Sequence, residues 1–255
     1  CTIRGVCGKS PEVAQLQDLL IWTLKGLSFW ASNGRNLGVT TRAADLAVAK
    51  GLFSTITNVN FDQERFVKMI AEAIELRDAL KKEAQAVCKS RKKAEKCCVA
   101  PPEAALWQPE NYDTETLIAK GKQVSVISDP DIDEDIRSLR ELLTYGLKGL
   151  AAYTDHAYVL GAYNDELLYF LEEGLLATLD DSLDANDLVG WVLKAGEMGV
   201  QGMALLDQAN TEAYGNPEPT QVNLDVREGP GILISGHDLR DMEELLEQTE
   251  GTGVK

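Results

Sequence analysis

The sequence predicts a mainly α fold: two consecutive three-helix bundles from an internal duplication, followed by the first β–α unit of an α/β domain. Three observations predict it. Apolar residues recur at helical spacing from residue 13 to the 210s, as in Val13, Leu16, Leu19, Leu20, Leu24 and Leu27. The stretch LQDLLIWTLKGL (16–27) returns as LRELLTYGLKGL (139–150), seven identities in twelve at an offset of 123 residues. The texture then changes after Tyr214 to a turn-rich extended segment, a short aliphatic run and an acidic amphipathic stretch.

Each element has its own signal. Ser10-Pro11-Glu12 reads as N-cap, first helical position and first-turn acid of helix one. Its pattern fades at Ser32-Asn33-Gly34, and a second helix is expected within 41–57. Asp62 reads as the N-cap of a third, between Phe61 and Phe66 as a hydrophobic staple, running through Met69, Ile70, Ala73, Leu76 and Leu80. The offset of 123 also pairs Leu52–Ile56 with Leu175–Leu179. The predicted domains are therefore a helical domain over 1–222 and the truncated start of an α/β domain over 223–255. Within the first, repeat 1 covers about 10–85 and repeat 2 about 133–212. Residues 86–132, with Pro101-Pro102 and DPDIDED (129–135), read as a linker whose terminal acids suit the next helix start. After GNPEPTQVNLDVREGPG (215–231), ILIS reads as a buried strand, DLRDMEELLEQ as a helix starting at Asp238 and ended by Gly251 and Gly253, and Val254 as the start of another strand.

Composition narrows the function classes. The net charge of −16 is uneven, +6 over residues 1–100 and −22 over 101–255. An acidic chain does not suit nucleic acid as its main partner, because phosphate contacts need a basic surface. No apolar run approaches the roughly 18 residues that span a bilayer, so no membrane partner is expected. The opening residues show no secretory signal, and the five cysteines read as reduced thiols or metal ligands in a cytoplasmic protein.

Two places carry candidate chemistry. His237, one of two histidines, follows Gly236 where a strand hands over to a helix, the end of a parallel strand at which ligands gather. A neutral imidazole there suits a metal; the alternative is a histidine that merely packs the turn. His156, within AAYTDHAYVLG, reads as structural. CTIRGVCGK sets Cys1 and Cys7 on a loop before helix one, a spacing compatible with iron–sulfur ligation or with a pair of ordinary thiols. Cys88, Cys97 and Cys98 read as free thiols. The run KSRKKAEK (89–96) among them reads as a solvated face or as a dock for an acidic electron donor.

CTIRGVCGK, LQDLL (16–20), TNVNFD (57–62), LKGLAAY (147–153), YGNPEPTQVN (214–223), GILISGHDL and LLEQTEGTGV together resemble the hybrid cluster proteins, also called prismane proteins or hydroxylamine reductases. The resemblance covers nearly the whole chain and is weakest over 86–132. It implies a helical domain of two three-helix bundles followed by Rossmann-like α/β domains, in a protein about twice this length. It implies that Cys1 and Cys7 are the third and fourth cysteines of an N-terminal [4Fe-4S] site, whose first pair this chain lacks. It implies that His237 is the histidine of a hybrid [4Fe-2O-2S] cluster, the other ligands being two glutamates and four cysteines beyond Lys255. The activity implied is reduction of small nitrogen compounds, hydroxylamine to ammonia or nitric oxide to nitrous oxide. The partners implied are a redox donor protein and the remaining domains of the full-length protein, the fragment alone being inactive. A carbon monoxide dehydrogenase-like enzyme and a non-catalytic helical interaction module are the alternatives.

Overall fold

A computed structural model describes residues 8–56, 60–90, 100–236 and 238–254. The protein is mainly helical: eight α-helices and one 3-10 turn are present among these residues. Helix α1 spans Pro11–Asn36, α2 Arg42–Ile56 and α3 Gln63–Ser90. After the 3-10 turn Glu103–Ala105 come α4 (Thr114–Gln123), α5 (Glu134–Val159), α6 (Asp165–Ala177), α7 (Ala185–Tyr214) and α8 (Leu239–Thr249).

Short polar side chains start these helices. Ser10 Oγ accepts from Val13 N and Asp133 Oδ1 from Ile136 N, satisfying amides that have no partner within the helix. Asp184 and Asp187 close a reciprocal capping box on α7. Helix α3 packs along α1 with α2 against both, and α7 along α5 with α6 against both. The two groups join crosswise, α2 on α5 and α1 on α6.

The offset of 123 residues recurs in three dimensions. Helices α1 and α5 are both 26 residues long, starting at Pro11 and Glu134. A Cβ on Gly51 would fall 2.7 Å from Leu24, and one on Gly174 2.7 Å from Leu147. Thr55 Oγ1 bonds Leu52 O at 2.7 Å and Thr178 Oγ1 bonds Leu175 O at 2.6 Å. Asp18 and Lys25 likewise correspond to Glu141 and Lys148. Asp18, Lys25 and Glu141 line a cleft of about 330 Å³ under residues 123–132. Burial there lifts the Asp18 carboxyl to about 7 and lowers the Lys25 ammonium to about 8.

The seam between the two groups is ionic as well as apolar. Arg35 reaches Asp45 at 3.2 Å and Glu172 at 2.5 Å, and lies over the Tyr169 ring at 3.7 Å. Both carboxylate side chains are almost wholly buried. Burial raises the Glu172 carboxyl to about 9, with Asp45 acting in the same direction and Arg35 opposing. At the edge of the seam Arg42 pairs with Asp165, its counterpart at the 123-residue offset, at 2.6 Å.

Three expectations need correction. The segment 86–132 is not a simple linker. Helix α3 runs to Ser90, and both the 3-10 turn and α4 pack on α1, burying Ala104, Ala105 and Leu117. No strand occurs among the described residues, so ILIS (232–235) forms neither a strand nor a buried element. Leu233 is 98% exposed, since a single extended segment has no neighbouring ladder to pair with. Val254 likewise lies outside any strand. Finally, Cys88 is disulfide-bonded rather than a free thiol. Cys97 and Cys98 lie outside the described residues.

Two predictions follow from this packing. A Cβ on Gly26 would fall 2.0 Å from the backbone oxygen of Ala104, whereas one on Gly149, its 123-residue counterpart, meets nothing within 4 Å. Gly26→Ala must displace the 3-10 turn and is expected to cost about 1–3 kcal/mol in denaturant unfolding. Gly149→Ala is expected to be neutral or to stabilise by up to about 1 kcal/mol, the helix propensity gained.

The second concerns pH. Because the folded carboxyl of Glu172 binds its proton more tightly than the unfolded one, its contribution is fully present below the unfolded pKa, near 4, and is lost as pH rises towards 9. Stability should decline across pH 5–9, by up to about 1.4 kcal/mol per pH unit from this group. Glu172→Gln, which stays neutral, should flatten that decline in melting curves recorded across the range.

Candidate functional site

The expected ligands Cys1, Cys7 and His237 all lie outside the described residues. Their flanks are described. Past Cys7, Gly8 has φ +102°, a left-handed conformation that favours glycine. Lys9 is buried, and its ammonium donates to Thr55 O at 3.2 Å in the last turn of α2. Ser10 then caps α1. The chain is thus tied to α2 at Lys9 before α1 begins.

On the other side, Gly236 has φ +66° and turns the chain immediately before His237. Asp238 caps α8, its Oδ1 accepting from Asp241 N at 3.0 Å. Asp238 Oδ2 lies 3.5 Å from Nδ1 of His156. The His156 ring meets Phe53 of α2 edge-on, centroids 4.9 Å apart at 63°. His156 is in the last turn of α5. Its neighbour Asp155 has its carboxyl raised by burial, with Lys50 and His156 opposing. Farther along α8, Tyr214 Oη donates to Glu243 Oε2 at 2.9 Å, and Arg240 pairs with Glu243 at 2.8 Å.

Helix α8 has no buried residue. The chain leading to it is exposed too: Leu224 is 95% and Val226 97% accessible. Side-chain contacts through Asp238 and Glu243 connect α8 to the helical body. Both flanks reach the C-terminal end of α2, the cysteine side through Thr55 and the His237 side through Phe53 by way of His156. Phe53 and Thr55 are two residues apart, about 3 Å along the helix axis.

Among the described residues no group of three or more His, Cys, Asp and Glu converges as a metal site. The expected donors are two thiols and one imidazole, types that iron in an iron–sulfur group takes. Each side stands beside a left-handed glycine at the entrance to a capped helix, so the described scaffold fits ligands presented on loops. Sequence reasoning missed His156 and Lys9 as anchors. A histidine with an aspartate 82 positions away and a lysine next to a capping serine leave no periodic signal. Among the described residues no helix is long and apolar enough to cross a membrane.

A sequence model of the Prismane/CO dehydrogenase family matches residues 1–255. The chain is similar to a hydroxylamine reductase of Kosmotoga olearia, 56% identical over 254 residues, and to one of Natranaerobius thermophilus, 54% identical over 255. A hydroxylamine reductase of Halothermothrix orenii is 54% identical over 254 residues. Each alignment takes in 100% of this chain and 45% of the relative, so the chain spans a little under half the length of these curated relatives. This chain belongs to the Prismane/CO dehydrogenase family.

Proposed function

We propose that the chain is the N-terminal portion of an iron–sulfur oxidoreductase that reduces hydroxylamine to ammonia. The observation that carries this reading is similarity along the entire chain, at 54–56% identity, to relatives named hydroxylamine reductase. The overall reaction takes one hydroxylamine, two electrons and two protons to ammonia and water. Nitric oxide, two molecules with two electrons and two protons giving nitrous oxide and water, is a second substrate of the same class.

In this reading Cys1 and Cys7 are two of the four thiolates of an N-terminal [4Fe-4S] cluster that receives electrons from a donor protein. His237 is an imidazole ligand of a hybrid [4Fe-2O-2S] cluster completed by residues outside this chain. When bound, the hybrid cluster supplies an open iron position and the electrons for N–O cleavage. The residues flanking His237 are Gly236, which turns the backbone, and Asp238, which fixes the start of α8. The equivalences at 123 residues support a duplicated three-helix unit as the scaffold. Residues from 223 onward fit the start of a Rossmann-like domain whose sheet partners lie outside this chain. The fragment alone is expected to be inactive.

The family description also covers carbon monoxide dehydrogenase, a nickel-dependent reading. The test uses the full-length protein, reconstituted anaerobically with iron and sulfide. His237→Ala should abolish or reshape the hybrid-cluster paramagnetic resonance signal and lower hydroxylamine turnover at least about tenfold. Cys7→Ala should remove the N-terminal cluster signal and leave the hybrid signal. Stoichiometric nickel would assign the dehydrogenase branch, and a colourless protein would point to an interaction module.

A further inference from the structure

We propose that the row Leu142, Tyr145, Gly149 and Tyr153 on α5 is a docking surface whose occupant is a part of the same polypeptide beyond Lys255. This rests on the reading of the chain as the N-terminal portion of a longer protein and extends it by naming where the remainder seats.

Steps of three and four residues put the row on one face of α5. Each member has an equivalent 123 residues earlier on α1: Leu19, Trp22, Gly26 and Trp30. On α1 that face is covered by the chain itself, the 3-10 turn and α4 packing against it. A Cβ on Gly26 would fall 2.0 Å from Ala104 O. Trp30 Nε1 donates to Ala105 O at 3.0 Å, and the Trp22 ring meets Trp107 edge-on with centroids 5.7 Å apart. Leu19 is wholly buried. On α5 no described residue takes the place of that cover. Leu142 and Tyr145 are each 54% exposed, Tyr153 is 36% exposed, and a Cβ on Gly149 meets nothing within 4 Å.

Single exposed apolar side chains are ordinary, but a leucine and two tyrosines grouped on one helix face mark an interaction site. Tyrosine suits such a place, with an apolar ring for packing and a hydroxyl for one directed bond. Glycine between the rings leaves room for a backbone to come close. The surface continues onto α7, where a Cβ on Gly202 would fall 3.6 Å from Tyr153 Cβ and the neighbouring Met203 is exposed. The occupant follows from two observations. The cover of the α1 row is a length of the same chain, residues 103–123. The relatives matched over this whole chain are more than twice as long, the chain covering 45% of each, so in this reading the larger part of the polypeptide has still to seat against the helical body. The segment that fits is a turn of small residues with a carbonyl within reach of the Tyr153 hydroxyl, as Ala104 and Ala105 fit Gly26 and Trp30. In the 255-residue chain Gly149→Ala stays neutral, because that segment is not part of it.

The experiment measures thiol accessibility in the full-length protein. Leu142→Cys is treated anaerobically with a maleimide, folded and in urea, and alkylation at residue 142 is followed by peptide mass spectrometry. The introduced thiol is expected to react at least about tenfold more slowly in the folded protein than in urea, the protection of a side chain released only by local opening. That rate should not change on dilution. Tyr145→Cys is read in the same way and serves if Leu142→Cys does not fold. Folded and unfolded rates within about twofold of each other would show the face open to solvent and overturn the proposal. Protection that disappears on dilution, in a protein whose dimeric mass Leu142→Asp halves, would assign the face to a second copy and overturn it as well. The measurement does not involve the clusters. A protected thiol in a colourless or nickel-loaded protein therefore supports the docking face while overturning the functional reading, and a reactive thiol in an active iron–sulfur reductase does the reverse.

Discussion

One guanidinium at the seam governs how the two helical groups meet. Arg35, near the end of α1, engages Asp45 of α2 and Glu172 of α6, and stacks on Tyr169. Two carboxyl groups and one cation in a low-dielectric place cannot all be charged cheaply. Proton retention by Glu172 is the response, leaving one net ion pair and one neutral acid. The apolar packing around the seam is non-directional and would tolerate sliding. A guanidinium with fixed donor directions does not, and Arg42 to Asp165 adds a second fixed point at its edge. The crosswise register of α1 on α6 and α2 on α5 follows, and with it the place of the α2 C-terminal end that Lys9 and His156 meet.

From residue 215 onward the physics is different. The helical body is held by burial: Leu16, Leu20, Leu52, Leu143, Leu147 and Leu171 are each essentially inaccessible. The segment before α8 carries comparable side chains, Val222, Leu224, Val226 and Leu233, in contact with solvent. An extended aliphatic run has unpaired backbone groups on both edges and requires neighbouring strands to become a sheet. The same residues that would form a core strand in a complete sheet are therefore coil here. The segment meets the helical body through polar contacts, Asp238 to His156 and Glu243 to Tyr214.

Much of the helical architecture is legible in the residues alone. Ser10, Asp62, Asp133 and Asp238 announce helix starts, because an oxygen one position outside the first turn is what the free amides require. The offset of 123 residues is legible because LKGL occupies the same helical face in both halves. Helix α4 was hidden by its setting. Asp113-Thr114 is a valid start, yet the helix has ten residues, of which only Leu117 and Gly121 are buried, and prolines and charges around it resemble a linker. The strand reading failed because local pattern reports what a segment can pair with, not whether a partner is beside it. The candidate site was legible as residue types, a histidine after a turn glycine and a thiol pair before a helix. Its supports were not, since His156 to Asp238 and Lys9 to Thr55 are contacts between positions 82 and 46 apart that carry no periodicity.

Positions 123 residues apart share geometry and yet differ in their surroundings. Thr55 and Thr178 occupy the same place at the ends of α2 and α6 and make the same backward hydrogen bond. Around them the chemistry diverges. The end of α2 presents Phe53 to His156 and the Thr55 carbonyl to Lys9. At the end of α6 the position of Phe53 is Leu176, and Arg140 of α5 closes the turn by binding Asp180 O and Asp181. Thr178 and Leu179 there line the charged cleft with Asp18, Lys25 and Glu141. Phe53 meets the His156 ring edge-on, where the position 123 residues on is the aliphatic Leu176. The end of α2 thereby holds the Lys9 ammonium and the His156 ring, while the end of α6 is closed by Arg140 on the loop that follows it.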